Sequence, residues 1–352
     1  MGRPTLLLAL ALTLAGCGPE SAADPAAAAS GPHAEAGLRP TLTTVATYGA
    51  DTHRRLVLWA MGTEVVVEAV GPGGSQQDAA LLAAEEEFRR VEDLCTSWRD
   101  SPLTRMNGHA GSGPVSIPAE LARLIGRGLD LGAATDGAFD VTFAGVGKLW
   151  DFQAEPPVLP SEGELAAALA AVDYRRVKLN LEASTIALPA GAAIGLGGIA
   201  KGYGVDRALA VLVEHGVEHG LVNAGGDLKV LGTKDGQPWK VAIRHPRDRD
   251  ELLEVVPLTD LAAVTSGDYE RFFEHEGRRY HHILDPRTGY PATGAMSVTV
   301  VAPDAAFADA LATALAVLGP EDSLPIVEAL EHVEALVVDL DGGVHRSSGL
   351  RE

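Results

Sequence analysis

Asp309 and Thr313 lie four residues apart within the apolar segment AAFADALATALAVL. At this spacing the two side chains fall on one face of a helix, about one turn apart. A carboxylate on a buried helix needs a hydrogen-bonding partner or a metal ion, and carboxylate, hydroxyl and main-chain carbonyl oxygens are ligands that suit Mg²⁺. The alternative is a hydrogen-bonded Asp, with Thr bonding back to its own helix. These residues alone leave both interpretations open.

The densest polar cluster is the segment YHHILDPRTGYP at residues 280–291. His281 and His282 fall in a predicted strand, and Asp285 begins the turn that follows. Together they offer a candidate general base with hydrogen-bond donors nearby. Because adjacent strand residues point to opposite faces, only one of the two histidines can face a given site. A zinc site is not expected, since no further set of His and Cys has suitable spacing.

A glycine-rich stretch, GLGGIAKG at residues 195–202, leads into a predicted helix. Exposed amides at a helix start can bind phosphate, and Lys201 adds a positive charge there. The stretch lacks the spacing of a P-loop or of a Rossmann motif, so a tight turn is the alternative. Hydroxyl groups are also expected on a second sharp turn, at Thr265 and Ser266.

Hydrophobic periodicity and turn residues predict the elements that position these side chains. Helices are predicted at 78–94, from about 116 to 135 with Pro118 in the first turn, after the capping pair Ser161 and Glu164, and at 198–215, 304–318 and 320–331. Strands are predicted at 56–70 with a break at Gly62, and at 177–181, 186–188, 220–223, 228–231, 239–243, 252–257, 269–274, 279–284, 297–302 and 335–340. Helices that bracket a mostly antiparallel, hairpin-connected sheet indicate an α+β fold.

The composition limits the class of partner. The chain has 352 residues, a formal net charge of −20 and 46% hydrophobic residues, which is enough for a sizeable core. Because an acidic surface repels nucleic acid, a nucleic-acid partner is not expected. No Pro/Ser-rich linker interrupts residues 55–346, which we therefore interpret as one catalytic domain.

The N-terminus predicts export and lipid attachment. Residues 1–16 combine Arg3, a short apolar run and small residues directly before Cys17, the pattern of a lipoprotein signal peptide. Lipid on Cys17 would anchor the chain to a bacterial membrane, facing the periplasm or the cell exterior; an ordinary signal peptide is the alternative. Residues 17–54, rich in Ala, Pro, Ser and Gly, are predicted to form a flexible tether. Cys95 falls on the apolar stripe of a helix and is predicted to be a packing residue.

Nine short motifs occur in a fixed order between about residue 57 and residue 318. In chain order they are MGT (61–63), SWRDSPLTRMN (97–107), GAFDVT (137–142), KLWDF (148–152), GGIAKGYGVD (197–206), NAGGDL (223–228), TSGDYERFF (265–273), HHILDPRTGYP (281–291) and ADALATAL (308–315). This ordered set resembles the ApbE family of flavin transferases, exported enzymes that move FMN from FAD onto a protein. A single motif would be weak evidence, whereas the ordered set is specific.

The resemblance implies an α+β fold with a T-fold-like core, and it assigns roles to individual residues. FAD-contact positions of the family are matched by Met61, Trp98, Ala138, Phe139, Asp140, Lys201 and Ile283. The family's magnesium ligands are matched by Asp309, Thr313 and the main-chain carbonyl of Gly198. His282 matches the histidine proposed to act on the incoming hydroxyl, and Asp285 in the same loop is expected to position it.

The implied reaction is Mg²⁺-dependent transfer of FMN from FAD to a Thr or Ser of an exported or membrane flavoprotein subunit, of respiratory or reductase type, with release of AMP. Two alternatives stay open: an FAD pyrophosphatase that gives FMN and AMP, and a non-catalytic FAD-binding lipoprotein. The chain departs from the family at Gly195, where Asp is common. One FAD contact is therefore expected to be lost or replaced.

Overall fold

The computed structural model describes residues 40–48, 51–248 and 250–350. The strands are β1 (Thr41–Tyr48), β2 (Asp51–Ala60), β3 (Thr63–Pro72), β4 (Val115–Ser116), β5 (Lys178–Asn180), β6 (Thr185–Ala187), β7 (His219–Ala224), β8 (Asp227–Leu231), β9 (Trp239–Arg244), β10 (Leu252–Leu258), β11 (Ala262–Gly267), β12 (Phe272–His275), β13 (Arg278–His281), β14 (Ser297–Ala302), β15 (Glu334–Val338) and β16 (Val344–Arg346). The α-helices are α1 (Ser75–Cys95), α2 (Pro102–Asn107), α3 (Ala119–Ala134), α4 (Ala144–Gly147), α5 (Glu162–Leu169), α6 (Ala200–Glu214), α7 (Ala305–Leu318) and α8 (Pro320–Glu328).

The central element is a nine-stranded sheet in the order β1-β2-β3-β7-β8-β11-β14-β15-β16. Every neighbouring pair in this sheet is antiparallel. Helices α1, α6 and α7 pack on one face, where they enclose the main hydrophobic core. The hairpin β9–β10 contributes Trp239 and Val241 to a second core with residues of the sheet. The predicted α+β architecture with a mostly antiparallel sheet is confirmed.

The β2–β3 hairpin shows how the sequence builds this sheet. Leu58 and Val65 face each other across the two strands, and both are buried. Met61 and Gly62 join the strands with positive φ angles of 49° and 72°, the backbone conformation that a two-residue hairpin turn requires. The predicted break at Gly62 is therefore a tight turn.

Helix α1 confirms the apolar stripe predicted from its spacing. Phe88, Val91 and Cys95 are buried in the main core. Burial raises the pKa of the Cys95 thiol to about 12, so the thiol stays protonated and unreactive. Cys95 is a packing residue, as predicted.

The small hairpin β12–β13 carries the first of the two adjacent histidines, and the segment after it, residues 282–291, is here named the histidine loop. This hairpin packs into an aromatic cluster in which Trp150 stacks on Tyr280, with ring centroids 5.9 Å apart, and on Phe273 at 6.5 Å. The Trp150 indole Nε1 donates a hydrogen bond to the Gly289 carbonyl oxygen at 2.9 Å. The aromatic cluster, which lies outside the main core, therefore helps to hold the histidine loop.

The predicted limits of the tether and of one turn are wrong. Strand β1 lies within 17–54, the stretch predicted to be a tether, and β2 begins at Asp51. The Thr- and Val-rich sequence of β1 suits a strand, pairing with β2 satisfies its backbone, and Leu42 packs against the main core. Thr265 and Ser266, predicted on a sharp turn, lie in β11 and pair with β14.

The predicted signal peptide at 1–16, the lipidation site Cys17 and residues 18–39 lie outside the described residues. None of the described helices combines the length and the apolar composition that a bilayer crossing needs. Most other predicted elements agree with the observed ones to within a few residues. An exception matters for the site: β13 ends at His281, so His282 lies just beyond the strand.

Candidate active site

The close packing of α6 against α7 places the candidate cation ligands. At Gly202, in the first turn of α6, a Cβ would overlap the Ala305 carbonyl oxygen, so only glycine allows this approach. Asp206, one turn later, accepts hydrogen bonds from the amides of Ala305 at 3.1 Å and Ala306 at 2.9 Å, which satisfies free donors at the start of α7. These contacts bring Asp309 beside Gly202.

Asp309 and Thr313 lie on one face of α7, as their spacing predicts. Asp309 is 3% exposed, and its Oδ2 accepts a hydrogen bond from the Gly202 amide at 3.1 Å. Burial raises the pKa of this carboxyl, so its ionised form needs a positive partner. Thr313 Oγ1 donates to the Asp309 carbonyl oxygen at 3.1 Å. This back-bond uses the hydroxyl proton and leaves the oxygen lone pairs of Thr313 available.

Gly198, Asp309 and Thr313 form a cluster that we name the oxygen corner. A Cβ on Gly198 would lie 3.2 Å from Thr313 Oγ1 and 3.1 Å from the Phe139 ring, so the Gly198 main chain lies directly against both. Ser266 Oγ lies 3.5 Å from Thr313 Oγ1. Within the part of the chain that the structure describes, no group of three or more His, Cys, Asp or Glu could hold a metal. A cation in the oxygen corner would depend on carboxylate, hydroxyl and carbonyl oxygens, a set that suits a hard cation.

Lys201 lies between two buried carboxylates. Its Nζ forms a close ion pair with Asp227 and lies 3.9 Å from Asp309 Oδ1. Burial lowers the pKa of Lys201, but the two carboxylates outweigh this effect and hold the pKa above its usual range. Burial also raises the pKa of Asp227, and Lys201 opposes that rise. Lys201 is therefore positively charged at neutral pH, directly beside the oxygen corner.

The two adjacent histidines face different environments, as predicted. His281 is buried, and its Nε2 donates to the Ala292 carbonyl oxygen at 3.0 Å. His282 is exposed at the start of the histidine loop. The surrounding protein nevertheless desolvates its ring, and together with the positive charges of Arg271 and Lys201 this lowers its pKa to about 4. His282 is thus neutral at physiological pH and able to accept a proton.

Arg271 connects His282 to the β2–β3 turn. Its Nη2 donates to the Gly62 carbonyl oxygen at 3.2 Å, and its own carbonyl oxygen accepts from the His282 amide at 3.0 Å. Met61, in the same turn, is 9% exposed, and its amide donates to Glu92 Oε1 at 3.0 Å. Arg271 therefore brings the Met61 turn and His282 together.

The loop after α3 offers few free functional groups. Ala138 and Phe139 are buried. The Asp140 carboxylate accepts hydrogen bonds from the Thr142 amide at 2.7 Å, the Thr142 hydroxyl at 2.6 Å and the Tyr174 amide at 3.0 Å. Because these bonds occupy the carboxylate, Asp140 fixes the shape of its loop, and the main chain is the part of the loop best able to meet a ligand.

Asp285 organises its own turn in the histidine loop. Its carboxylate pairs with the Arg287 guanidinium at 2.8 Å and accepts from the Arg287 amide at 2.9 Å. Its carbonyl oxygen accepts from the Gly289 amide at 2.8 Å. These bonds do not reach His282, so any effect of Asp285 on His282 passes through the loop. A cavity of about 230 Å³ lies between this turn and the Asp140 loop.

The other positions matched by the resemblance differ in exposure. Trp98, on the segment after α1, is 42% exposed, and such an aromatic surface can stack on a planar ligand. Ile283 is buried in the main core, and its carbonyl oxygen accepts from the Ala292 amide at 2.9 Å. At Gly195, a Cβ would lie 3.0 Å from Ala144 Cβ. A longer side chain at position 195 would therefore require the Ala144 segment to move.

Sequence reasoning missed Asp227 and Arg271 as residues of this site, and it noted the Ser266 hydroxyl without placing it beside Thr313. When an aspartate follows two glycines, the sequence does not distinguish an exposed turn residue from a buried one. Only the fold shows that Asp227 faces Lys201. Arg271 and Ser266 stand in one of the ordered motifs, and Asp227 stands in another. Membership of those motifs is the signal that could have found all three.

The site thus combines a charged lysine on α6, a buried carboxylate and a threonine hydroxyl on α7, and a neutral histidine in the histidine loop. This set defines an α+β protein equipped to bind a phosphate-containing ligand together with a hard cation. The sequence model of the ApbE family matches residues 61–337. The chain belongs to the ApbE family.

Similar proteins cover most of the chain. It is 37% identical over 289 residues to the FAD:protein FMN transferase of Treponema pallidum, an alignment that covers 76% of this chain and 80% of that protein. It is 34% identical over 292 residues to the FAD:protein FMN transferase of Vibrio cholerae, covering 80% and 86%. The crystal structure of the ApbE protein from Thermotoga maritima is similar with a TM-score of 0.78 and 34% identity, covering 85% of this chain and 98% of that chain. The flavin transferase ApbE from Vibrio cholerae has a TM-score of 0.77 and 31% identity, covering 86% and 99%.

Proposed function

We propose that this chain is an FAD:protein FMN transferase, which moves FMN from FAD to a Thr or Ser hydroxyl of an acceptor protein and releases AMP. The observation that carries the proposal is the convergence of Lys201, the oxygen corner and His282 in a member of the ApbE family. Relatives that align with most of the chain bear this activity in their names. The reaction breaks a pyrophosphate link, so it needs positive charge at the phosphates and an acceptor for the hydroxyl proton.

The oxygen corner would hold Mg²⁺ through Asp309, Thr313 and the carbonyl oxygen of Gly198. Two observations support this fit: the Asp309 carboxyl is buried with a raised pKa, and the Gly198 main chain lies against Thr313 where a Cβ would crowd the hydroxyl. Bound Mg²⁺ supplies charge that neutralises the pyrophosphate oxygens. Lys201 adds a fixed positive charge on the same side.

His282 would accept the proton of the incoming hydroxyl. As the hydroxyl oxygen bonds to the FMN phosphorus, its proton passes to the neutral imidazole. The bond between that phosphorus and the bridging oxygen breaks, and AMP leaves with this oxygen. Desolvation of the ring by the surrounding protein and the charges of Arg271 and Lys201 keep the pKa of His282 low, so the ring is in its proton-accepting form over the whole physiological pH range.

The location that we propose is a bacterial membrane, to which a lipid anchors the protein so that it faces the periplasm or the cell exterior. The signal-like residues 1–16 and Cys17 support lipid attachment. The acceptor would be an exported or membrane-bound flavoprotein subunit of respiratory or reductase type. Substitution Cys17→Ser should release the protein from the membrane fraction and abolish incorporation of labelled fatty acid.

An FAD pyrophosphatase is the second candidate, and the exposure of His282 favours it. Water that reaches this ring could replace the protein hydroxyl, giving free FMN and AMP. The balance between the two reactions depends on whether an acceptor protein excludes water from the histidine loop.

Both reactions can be tested with one experiment. The full-length protein is incubated with FAD and Mg²⁺, with and without a co-expressed candidate acceptor. Mass spectrometry of the acceptor should show one FMN added to a single Thr or Ser peptide, and this product should disappear with Asp309→Asn. Chromatography of the small molecules should show little free FMN when no acceptor is present. Abundant free FMN would favour the pyrophosphatase, and FAD binding without any product would contradict catalysis.

A further inference from the structure

The ammonium group of Lys201 is shared unequally between two buried carboxylates. It contacts Asp227 directly, whereas its distance to Asp309 Oδ1 is 3.9 Å. Both carboxylates are almost completely buried, with exposures of 1% and 3%. Because neither carboxylate is hydrated, a direct contact with the lysine would stabilise the charge of either one. In this fold Asp227 makes that contact.

The unequal sharing matters because Asp309 Oδ1 is the oxygen through which a cation would be bound. The other oxygen, Oδ2, already accepts a hydrogen bond from the Gly202 amide. A lysine in direct contact with Oδ1 would neutralise the carboxylate and compete with a divalent ion for the same oxygen. The function proposed above needs Lys201 close to the oxygen corner but not bonded to Asp309.

We infer that Asp227 is a positioning residue that holds the Lys201 ammonium away from Asp309 and so keeps Asp309 Oδ1 available to a divalent cation. This inference rests on the cation site of the proposed function. The backbone supports it: Asp227 is the first residue of β8 and pairs with Ala224 of β7, directly after Gly225 and Gly226, which have positive φ. The carboxylate that holds the lysine is therefore attached to the central sheet.

The substitution Asp227→Asn keeps the shape of the side chain and removes its charge. Lys201, still charged, then has Asp309 as its remaining buried carboxylate partner and turns toward it. Closing the separation from 3.9 Å to contact distance strengthens that ion pair enough to weaken cation binding about tenfold, for an effective dielectric constant of about 20. Mn²⁺ is a suitable probe because it binds the same hard oxygen ligands as Mg²⁺.

Loss of a negative charge near the site could also weaken cation binding, without any movement of Lys201. A double-mutant cycle of Asp227 and Lys201 separates the two explanations. If the two charges act independently on the cation, the effects of the two substitutions add; if Asp227 acts through Lys201, the effects are non-additive. If Asp227 acts by holding Lys201, then Lys201→Met should raise Mn²⁺ affinity much more in the Asp227→Asn background than in the wild-type background. The double variant removes both charges of the Lys201–Asp227 pair, so the buried Asp309 carboxylate then has the added cation as its positive partner.

The experiment measures Mn²⁺ binding to the full-length protein in detergent by electron paramagnetic resonance, without FAD. We expect about tenfold weaker binding for Asp227→Asn, and recovery to the wild-type affinity or better for Asp227→Asn with Lys201→Met. Additive effects, or unchanged affinity in Asp227→Asn, would overturn the inference. If the wild type and Asp309→Asn bind Mn²⁺ equally, the cation site itself is wrong, and the inference falls with it.

Folding is checked by circular dichroism, and a conservative variant serves as the matched control. Asp227→Glu keeps the negative charge and a partner for Lys201, so its Mn²⁺ affinity should stay within about threefold of wild type. This variant also carries the test if Asp227→Asn does not fold. A tenfold loss in folded Asp227→Glu would show that the carboxylate acts other than by holding the lysine, and would overturn the inference.

Discussion

The two halves of the candidate active site are built in different ways. The oxygen corner lies in the main core, where α6 and α7 meet through Gly202 and where Asp309 is buried. The histidine loop carries its base at the surface: His282 is exposed, while Ile283 in the main core and the hydrogen bond from Trp150 to Gly289 hold the loop. Burial strengthens the electrostatic attraction between a carboxylate and a bound cation, because the local dielectric constant is lower. A base that accepts a proton from the hydroxyl of another protein has to be accessible instead.

This difference predicts that substitutions in the two halves have separate effects. Changes in the oxygen corner should alter cation affinity and, through the packing of α6 on α7, stability. Changes in the histidine loop should lower kcat and leave cation affinity unchanged.

The largest effect is expected for Asp309→Ala. Removing this carboxylate takes away the charged ligand of the oxygen corner and leaves Lys201 with Asp227 alone. Transfer of FMN should fall by about a thousandfold or more, since stabilisation of charge by a metal contributes several kcal/mol. Product formation at saturating FAD, followed by mass spectrometry of the acceptor, is the measurement. Wild-type transfer by this variant would contradict the assignment of the oxygen corner.

The next effect is expected for His282→Ala, which removes the proton acceptor but not the oxygen corner. General-base catalysis contributes about a hundredfold to ten-thousandfold, so kcat should fall within this range while Mn²⁺ affinity stays at the wild-type value. His281→Ala is the comparison, because that ring is buried and hydrogen-bonded to the Ala292 carbonyl oxygen, whereas His282 is exposed. A variant of His282 that loses Mn²⁺ binding would show that the two halves are not separate.

The pH dependence of the reaction tests the state of His282 directly. Desolvation by the surrounding protein and the charges of Arg271 and Lys201 lower its pKa to about 4. The base is therefore active wherever the pH exceeds this value, and kcat should be nearly constant from pH 5.5 to 7.5. The rate is measured with FAD and Mg²⁺ at saturation at each pH. A fall centred near the usual histidine pKa of about 6.5 would contradict the assignment.

A smaller effect, on stability, is expected for Gly202→Ala. The added Cβ would overlap the Ala305 carbonyl oxygen, so α6 and α7 must separate at a cost of about 1–3 kcal/mol. Thermal unfolding should show a lower Tm, and Mn²⁺ affinity should fall because Asp309 loses its fixed position. Gly163→Ala in α5 is the matched control: its Cβ would meet nothing within 4 Å, and alanine stabilises a helix by up to about 1 kcal/mol. Equal Tm shifts for the two variants would contradict the packing argument.

The same contrast between core and surface explains what the sequence could predict. The spacing of Asp309 and Thr313 and the stripe through Phe88 predicted helices correctly, because helical periodicity reports directly on a buried face. At Gly62 the sequence predicted a break in one strand, and the structure shows a hairpin there, with positive φ at Met61 and Gly62 in its tight turn. The family resemblance added the roles of individual residues, which periodicity does not carry.

Long-range pairings of charges could not be predicted from the sequence. Lys201 and Asp227 are 26 residues apart and meet only because α6 packs beside β8. Strand β1 was assigned to the tether because a polar edge strand has no apolar periodicity, and its order comes from pairing with β2. In both cases the deciding contact is made with a residue of another element, so the local sequence cannot predict it.

The smallest effect is expected for Trp150→Phe, which tests how the histidine loop is held. Phenylalanine keeps an aromatic ring beside Tyr280 but removes the indole donor to the Gly289 carbonyl oxygen. The loss of one buried hydrogen bond costs about 1 kcal/mol, so the loop becomes more mobile and kcat should fall about twofold to tenfold. Cation affinity should not change, because this cluster lies apart from the main core. If Mn²⁺ binding also weakens in this variant, the aromatic cluster supports both halves of the site. The two halves would then not be independent, although they are built from different elements.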